Sequence, residues 1–130
     1  MTLALTPHQK KRFEEGVALF NRGQFFDCHE VLEEVWLEIP GDQKKFLQGL
    51  IQVAVAFHHL RRKNLVGAHR LLAAGVEKLS GFGRQQDAVD VAALLEALKP
   101  VQQHLHAGEV SPDWPSPQIA LKDTPIPSNE

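Results

Sequence analysis

Apolar residues are densest over residues 46–60, where polar side chains are confined to one narrow stripe. At about 100° per residue, the apolar side chains of this segment cover nearly the whole circumference of a helix. Gln48, Gln52 and His59 fall within about 40° of one another, because spacings of four and seven residues return to the same helical face. A helix that is apolar all round is buried, so the pattern predicts a central helix over about 42–62. The segment is shorter than the roughly 20 apolar residues that span a bilayer.

Four further segments repeat apolar residues at spacings of three and four, which is typical of amphipathic helices. No segment shows the strict alternation of a half-buried strand. The predicted helices run from Thr6-Pro7 to Asn21-Arg22-Gly23 and over about residues 25–38, 42–62, 65–79 and 87–107. The predicted fold is therefore all-α, a single compact bundle of about five helices with the central one buried.

Local signals place the ends of these helices. Asp27 to Glu30 has the spacing of a capping box, with a start one turn earlier, at Gln24 or Phe25, as the alternative. Asp42 and Asn64 are expected to cap the central and fourth helices. Small residues on the fourth helix would let a neighbouring helix approach closely: Gly67, Ala68, Ala74 and Gly75.

The end of the chain has a different composition. Five prolines fall within residues 111–130, and no helical periodicity is present there. We therefore divide the chain into a helical bundle domain over 1–110 and a Pro-rich, non-helical tail over 111–130. Trp114, Ile119 and Leu121 are the tail residues that we expect to pack against the bundle.

Composition restricts the class of protein. Hydrophobic residues make up 43% and charged residues 23% of the 130 residues, the balance of an ordinary soluble domain. Residues 42–84 are basic, but the flanking segments are acidic and the formal net charge is −2, so we expect no nucleic-acid partner. Cys28 is the single cysteine, which excludes an internal disulfide. The first residues lack the pattern of a signal peptide, so we expect a cytoplasmic protein with no membrane partner.

Candidate chemistry concentrates on the second and central helices. His29 and Glu33 are four residues apart and share a helical face whose neighbours are mostly apolar. The short connection near Pro40-Gly41 predicts that these two helices pack antiparallel as an αα-hairpin. The polar stripe of the central helix would then meet His29 and Glu33 across the hairpin.

Three hypotheses account for this cluster. His29, Glu33 and His59 offer two imidazoles and a carboxylate, a ligand set that suits zinc or iron, although their spacing matches no known metal motif. The same groups could form a small-molecule or catalytic pocket with a histidine as the proton-transfer group. The third hypothesis is a structural network that sets the register of the helix pair. Its weakness is that burying five polar side chains is costly unless each is paired.

Two runs of the sequence also resemble a known family. The first is Phe20-Asn-Arg-Gly23-x-x-Phe26-x-x-His29-Glu30-x-Leu32-Glu33-x-x-Trp36, and the second is Phe46-Leu-Gln48-Gly49-Leu50-Ile51-Gln52-x-Ala54-x-Ala56 followed by His59, Asn64 and Gly67-Ala68. Together they resemble domain-of-unknown-function family 309, a family of small helical proteins, over about residues 13–80. The resemblance implies a compact bundle around a three-helix core and no established activity, substrate or cofactor. It also implies importance for these binding candidates: His29, Glu30, Glu33, Trp36, Gln48, Gln52 and His59.

The leading prediction is a binding module of unknown ligand, either a small molecule or a protein, with Trp36 at the rim of the site. The alternative is a metal-dependent enzyme that uses His29 and Glu33 as ligands and His59 as ligand or base, and whether the chain is an enzyme is left open. A further alternative is a structural or adaptor protein, with a homodimer as one form. No cofactor is expected beyond the divalent metal of the second hypothesis.

Overall fold

The computed structural model describes residues 5–86, 88–108 and 117–121. Its helices are α1 (Pro7–Asn21), α2 (Phe25–Trp36), α3 (Gly41–Arg61), α4 (Leu65–Ser80) and α5 (Val91–His106), and its two short strands are β1 (Gln85–Gln86) and β2 (Val89–Asp90). Each helix packs against the next one along the chain. The prediction of an all-α bundle is confirmed. Within the described residues, no helix has the length and low polarity needed to cross a membrane.

Helix α3 lies at the centre of the core, as its apolar pattern predicts. Its side chains at Phe46, Leu50 and Val53 are fully buried. Phe57 continues the core at its far end, where its ring lies 5.3 Å from that of Phe25 on α2. The apolar surface of α3 is therefore shared among its neighbours, and Ile51, Val55 and Leu60 stay half-buried.

Capping side chains set the starts of three helices. Thr6 accepts a hydrogen bond from the backbone N–H of Gln9, whose side chain bonds back to Thr6. Asn64 accepts from the backbone N–H of Gly67, so the cap expected at Asn64 is confirmed. Asp90 caps α5, which begins at Val91 and not near Asp87 as expected.

The capping box expected at Asp27 and the cap expected at Asp42 are both wrong, because each residue lies inside the first turn of its helix. Helix α2 begins at Phe25, the alternative start, because the Phe25 ring packs edge-on at 5.2 Å against Phe20 and holds this turn in the core. Helix α3 begins at Gly41, whose φ of 71° is readily adopted by glycine.

A short β-hairpin corrects the expectation that no strand is present. Gln85 pairs with Asp90 and Gln86 with Val89 in antiparallel register. Leu121 forms an isolated bridge with Val89, and the backbone N–H of Asp90 donates to the carbonyl of Ala120 at 3.0 Å. Strands of two residues are too short to show alternation, so no sequence periodicity could reveal them.

The segment 117–121 lies against the bundle in an extended conformation. Ile119 is 2% exposed, and the Asn21 side chain bonds to both its N–H, at 2.7 Å, and its carbonyl, at 3.0 Å. Ile119 and Leu121 therefore pack as expected, while Trp114 lies outside the described residues.

Close packing of α3 on α4 depends on glycine. A Cβ atom at Gly75 would lie 2.8 Å from Cγ2 of Val53 and 2.9 Å from the carbonyl oxygen of Gly49. Neither distance is tolerated by a real Cβ, and one of the two atoms belongs to rigid helix backbone. The close helix approach predicted for the small residues of α4 is therefore found at Gly75.

We expect Gly75→Ala to lower the free energy of unfolding by about 1–3 kcal/mol, because the added methyl group forces α3 and α4 apart. Gly81→Ala is the matched control, since its Cβ would meet only the Lys78 carbonyl, at 3.5 Å, and its φ of −79° suits any residue. Urea denaturation of both variants measures the difference. Equal stability of the two variants would contradict the predicted contact.

Candidate functional site

Helix α3 borders α2 at both ends of the helix pair. At one end the Phe26 and His58 rings lie 5.2 Å apart, and at the other the Nζ atom of Lys44 lies 3.9 Å from the centre of the Trp36 ring. Helices α2 and α3 therefore run antiparallel, with a short connection between Trp36 and Gly41. We call the surface along this border the α2–α3 face, which comprises Phe26, His29, Glu33 and Trp36 of α2 and Lys44, Gln48, Gln52, His58 and His59 of α3.

Four aromatic rings form a group at the end of this face. The Phe26 ring lies 5.4 Å from His29 and 5.2 Å from His58, and His58 lies 6.0 Å from His59. Phe26 is 49% exposed, which is unusual for a phenylalanine among polar neighbours. Burial of His58, together with the positive charges of Arg62, His59 and His29, lowers the pKa of His58 from its ordinary value of 6.5.

His29 and Glu33 form a loose pair on α2. The Nε2 atom of His29 lies 3.7 Å from Oε2 of Glu33, beyond hydrogen-bond range but close enough for attraction when the histidine is protonated. The other ring nitrogen, Nδ1, is buried and has no hydrogen-bond partner among the described residues. One side of the imidazole is therefore paired with a carboxylate and the other is unsatisfied.

Trp36 is held at the opposite end of the face. Lys44 donates a hydrogen bond from Nζ to the Trp36 carbonyl at 2.8 Å while its ammonium group lies over the indole ring. This cation–π contact fixes the plane of the half-buried ring. The indole Nε1–H is buried and finds no acceptor in the part of the chain that the structure describes.

The polar residues of α3 differ in how they are satisfied. Gln48 and Gln52 are both half-buried, and Oε1 of Gln52 is a buried acceptor with no donor among the described residues. His59 Nδ1 lies 3.3 Å from the side-chain nitrogen of Asn64, which also caps α4. The His59 ring is thereby oriented by the start of the next helix.

The structure gives less support to a role in metal binding or catalysis for Glu30, for the proposed metal ligands and for Cys28. Glu30 is exposed on the outer side of α2. Among the described residues, no group of three histidine, cysteine, aspartate or glutamate side chains could hold a metal ion, so the metal site proposed for His29, Glu33 and His59 stays a prediction. Cys28 is fully buried, and burial raises the pKa of its thiol to about 12, which makes it a poor nucleophile.

Sequence reasoning did not identify three residues of this face as functional candidates. These residues are Phe26, His58 and Lys44. The spacing of three between Phe26 and His29 places both on the same face, which is the one signal in the sequence that could have identified Phe26. Their roles depend on contacts between helices, which spacing along one helix does not reveal.

The fold and this face define an all-helical protein with a polar and aromatic surface between two antiparallel helices. Residues 13–71 match the family model described as Domain of unknown function (DUF309), so the resemblance to domain-of-unknown-function family 309 is confirmed over these residues. Every binding candidate from His29 to His59 lies within the match.

Two relatives share part of this chain. Uncharacterized protein YpuF of Bacillus subtilis (strain 168) is 39% identical over 84 residues, which cover 62% of this chain and 48% of YpuF. An uncharacterized protein of Aquifex aeolicus (strain VF5) is 38% identical over 52 residues, which cover 39% of this chain and 16% of that protein. The chain thus matches less than half the length of either relative, and no specific activity follows from these matches.

The lowered pKa of His58 predicts a dependence of stability on pH. A lowered pKa means that the folded state favours the neutral ring, so the unfolded state takes up the proton first as the pH falls below 6.5. We expect the stability that His58 contributes to be complete above pH 6.5 and to be lost as the pH falls through the lowered folded pKa. Thermal unfolding from pH 8 to pH 5 should show a steeper acid loss for the wild type than for His58→Gln. Parallel curves for the two proteins would refute this assignment.

The burial of the Cys28 thiol predicts that thiol reagents modify the native protein slowly. A pKa raised from 9.0 to about 12 leaves roughly a thousandfold less thiolate at pH 8 than in the unfolded chain. We expect a disulfide reagent such as dithiobisnitrobenzoate to react with the native protein at least that much more slowly than with protein in urea. The unfolded chain provides the control, because it should release one equivalent for its single cysteine. Rapid native reaction would show that Cys28 is accessible.

Proposed function

We propose that this protein is a binding module whose ligand contacts the α2–α3 face. The observation that carries the proposal is three buried polar atoms on the facing helices: Nδ1 of His29, Nε1 of Trp36 and Oε1 of Gln52. None has a hydrogen-bond partner among the described residues, and leaving such an atom buried and unpaired costs about 1–3 kcal/mol. A surface that keeps three of them is better suited to a ligand than to helix register alone.

The chemistry of these atoms constrains the ligand. The indole nitrogen of Trp36 only donates, the amide oxygen of Gln52 only accepts, and the imidazole nitrogen of His29 does either according to its tautomer. The exposed Phe26 ring beside His58 offers an apolar surface on which a flat group can stack. We therefore expect a ligand that joins a planar apolar part to hydrogen-bonding groups of both kinds, either a small molecule or a peptide side chain.

A metal-dependent enzyme remains the alternative, with His29, Glu33 and His59 as its ligands. The pair of His29 and Glu33 supports it only in part, since two donors do not make a metal site. Elemental analysis of protein purified without chelator tests it directly, and near-stoichiometric metal that disappears in His29→Ala would replace the present proposal. A cytoplasmic location and a homodimeric form belong to the proposal as expectations from the sequence.

Replacing Gln52 by methionine separates a binding role from a structural one. Methionine keeps the shape of the side chain and removes the unpaired oxygen, so we expect the free energy of unfolding to stay within about 0.5 kcal/mol or to rise. If Gln52 served a structural network, the same change would cost about 1–3 kcal/mol. Gln103→Met, at an exposed position of α5, is the matched control.

Binding is then measured by nuclear magnetic resonance with a set of planar heteroaromatic carboxamides. We expect saturable shifts of the Trp36 indole N–H and the Gln52 side-chain amide, and a loss of binding in Gln52→Met and Phe26→Ala but not in Gln103→Met. The structural alternative is supported instead if Gln52→Met loses much stability and no compound shifts the resonances of the α2–α3 face.

A further inference from the structure

A second cavity lies away from the α2–α3 face, where the first turn of α3, the end of α4 and the β-hairpin meet. Its volume is about 370 Å³, near the lower end of ligand-sized pockets. Asp42 and Lys45 of α3, Glu77 and Lys78 of α4, and Gln86 of β1 contribute its polar lining. None of these residues belongs to the motifs that carry the family resemblance or to the proposed binding face.

Gln86 is the only buried polar or charged residue in the described part of the chain. It is 4% exposed, and its Nε2 atom has no hydrogen-bond partner among the described residues. A buried primary amide without an acceptor is costly, and native proteins keep few of them. Because Gln86 lines the cavity, its unpaired amide is the candidate donor to an acceptor group that enters there.

Charges of both signs line the same cavity as this amide. Within the described residues, the side chains of Asp42, Lys45, Glu77 and Lys78 form no ion pair and no hydrogen bond. Two cationic and two anionic side chains therefore line one small cavity and form no ion pairs with one another. A ligand with a single charge would be repelled by the two side chains of the same sign. A ligand that carries both charges can place each one beside side chains of the opposite sign.

An apolar wall completes the cavity. Phe82 lines it and is held in place by edge-on packing against Phe46 of the core, with ring centres 5.1 Å apart. The wall offers contact to a short hydrocarbon group. The limited volume favours a compact molecule over a nucleotide or a peptide.

We propose that this cavity binds a small zwitterion of the free α-amino acid class. The ligand carboxylate accepts a hydrogen bond from Nε2 of Gln86 and faces Lys45 and Lys78. Its ammonium group faces Asp42 and Glu77, and its side chain lies along Phe82. This site is independent of the α2–α3 face, so either proposal stands if the other fails.

The test is a titration of the ¹⁵N-labelled full chain with L-alanine, L-glutamine, L-glutamate and L-lysine, each up to about 10 mM. We expect at least one of them to cause saturable shifts of the Gln86 side-chain amide and the Gly81 backbone N–H. Acetate and methylammonium carry one charge each and should bind at least tenfold more weakly. The proposal is overturned if no amino acid gives saturable shifts, if acetate alone binds as tightly, or if the shifts map to the α2–α3 face.

Variants tie the shifts to the named groups. Gln86→Met removes the unpaired amide at nearly constant volume and should weaken binding at least tenfold. Lys45→Met should do the same and carries the test by itself if Gln86→Met does not fold. Lys10→Met, an exposed lysine on α1, is the matched control and should bind like the wild type. Unchanged affinity in Lys45→Met and Gln86→Met would overturn the assignment.

Discussion

The contact of α3 with α4 at Gly49 and Gly75 is the constraint on which the arrangement of the other helices depends. Here the backbones approach so closely that no side chain fits between them. The close approach commits one side of the apolar central helix to α4. The opposite side must then be covered by α2, since an exposed apolar surface of that size would be unfavourable in water. The polar stripe of α3 is left at the edge of that second contact, which is where the α2–α3 face forms.

The face combines well-satisfied and unsatisfied groups within a short distance. Lys44 fixes Trp36, and Asn64 orients His59 while capping α4, so parts of the face are held rigidly. Between them lie the unpaired atoms of His29 and Gln52. Fixed neighbouring groups lower the entropic cost of binding, because fewer side chains must be ordered when a ligand arrives. The burial of apolar side chains elsewhere in α3 offsets the cost of leaving them unpaired.

Both proposed sites use α3 but depend on it differently. The α2–α3 face runs along the side of the helix and consists of two apolar aromatic rings, two glutamines and three histidines, together with one carboxylate and one lysine. The second cavity, beside the β-hairpin, lies at the first turn of α3 and is lined by charges of both signs. Asp42, expected as a helix cap, illustrates the difference. Because Gly41 begins the helix one residue earlier, the Asp42 side chain points into the cavity lining and is not used by the backbone.

Much of the fold could be read from local patterns. Five helices, the caps at Thr6 and Asn64, and the burial of residues 46–60 follow from helical periodicity and capping chemistry, which act over about four residues. The same periodicity placed Gln48, Gln52 and His59 on one stripe and His29 with Glu33 on one turn. The β-hairpin was not predicted because strands of two residues show no alternation. The bonds between Asn21 and Ile119 were not predicted because these residues lie far apart in the chain.

The sequence by itself therefore determined which segments are helical and which side chains share a helical face. Only the tertiary structure decided that Phe26 is exposed beside His58, that Lys44 covers Trp36, and that three polar atoms of the face are buried without partners. The physical reason is that helical faces follow from a fixed rotation per residue, whereas burial and pairing depend on which helix lies opposite and at what distance. In this protein the distance between α3 and α4 is set at Gly75, on a helix that contributes no residue to the α2–α3 face.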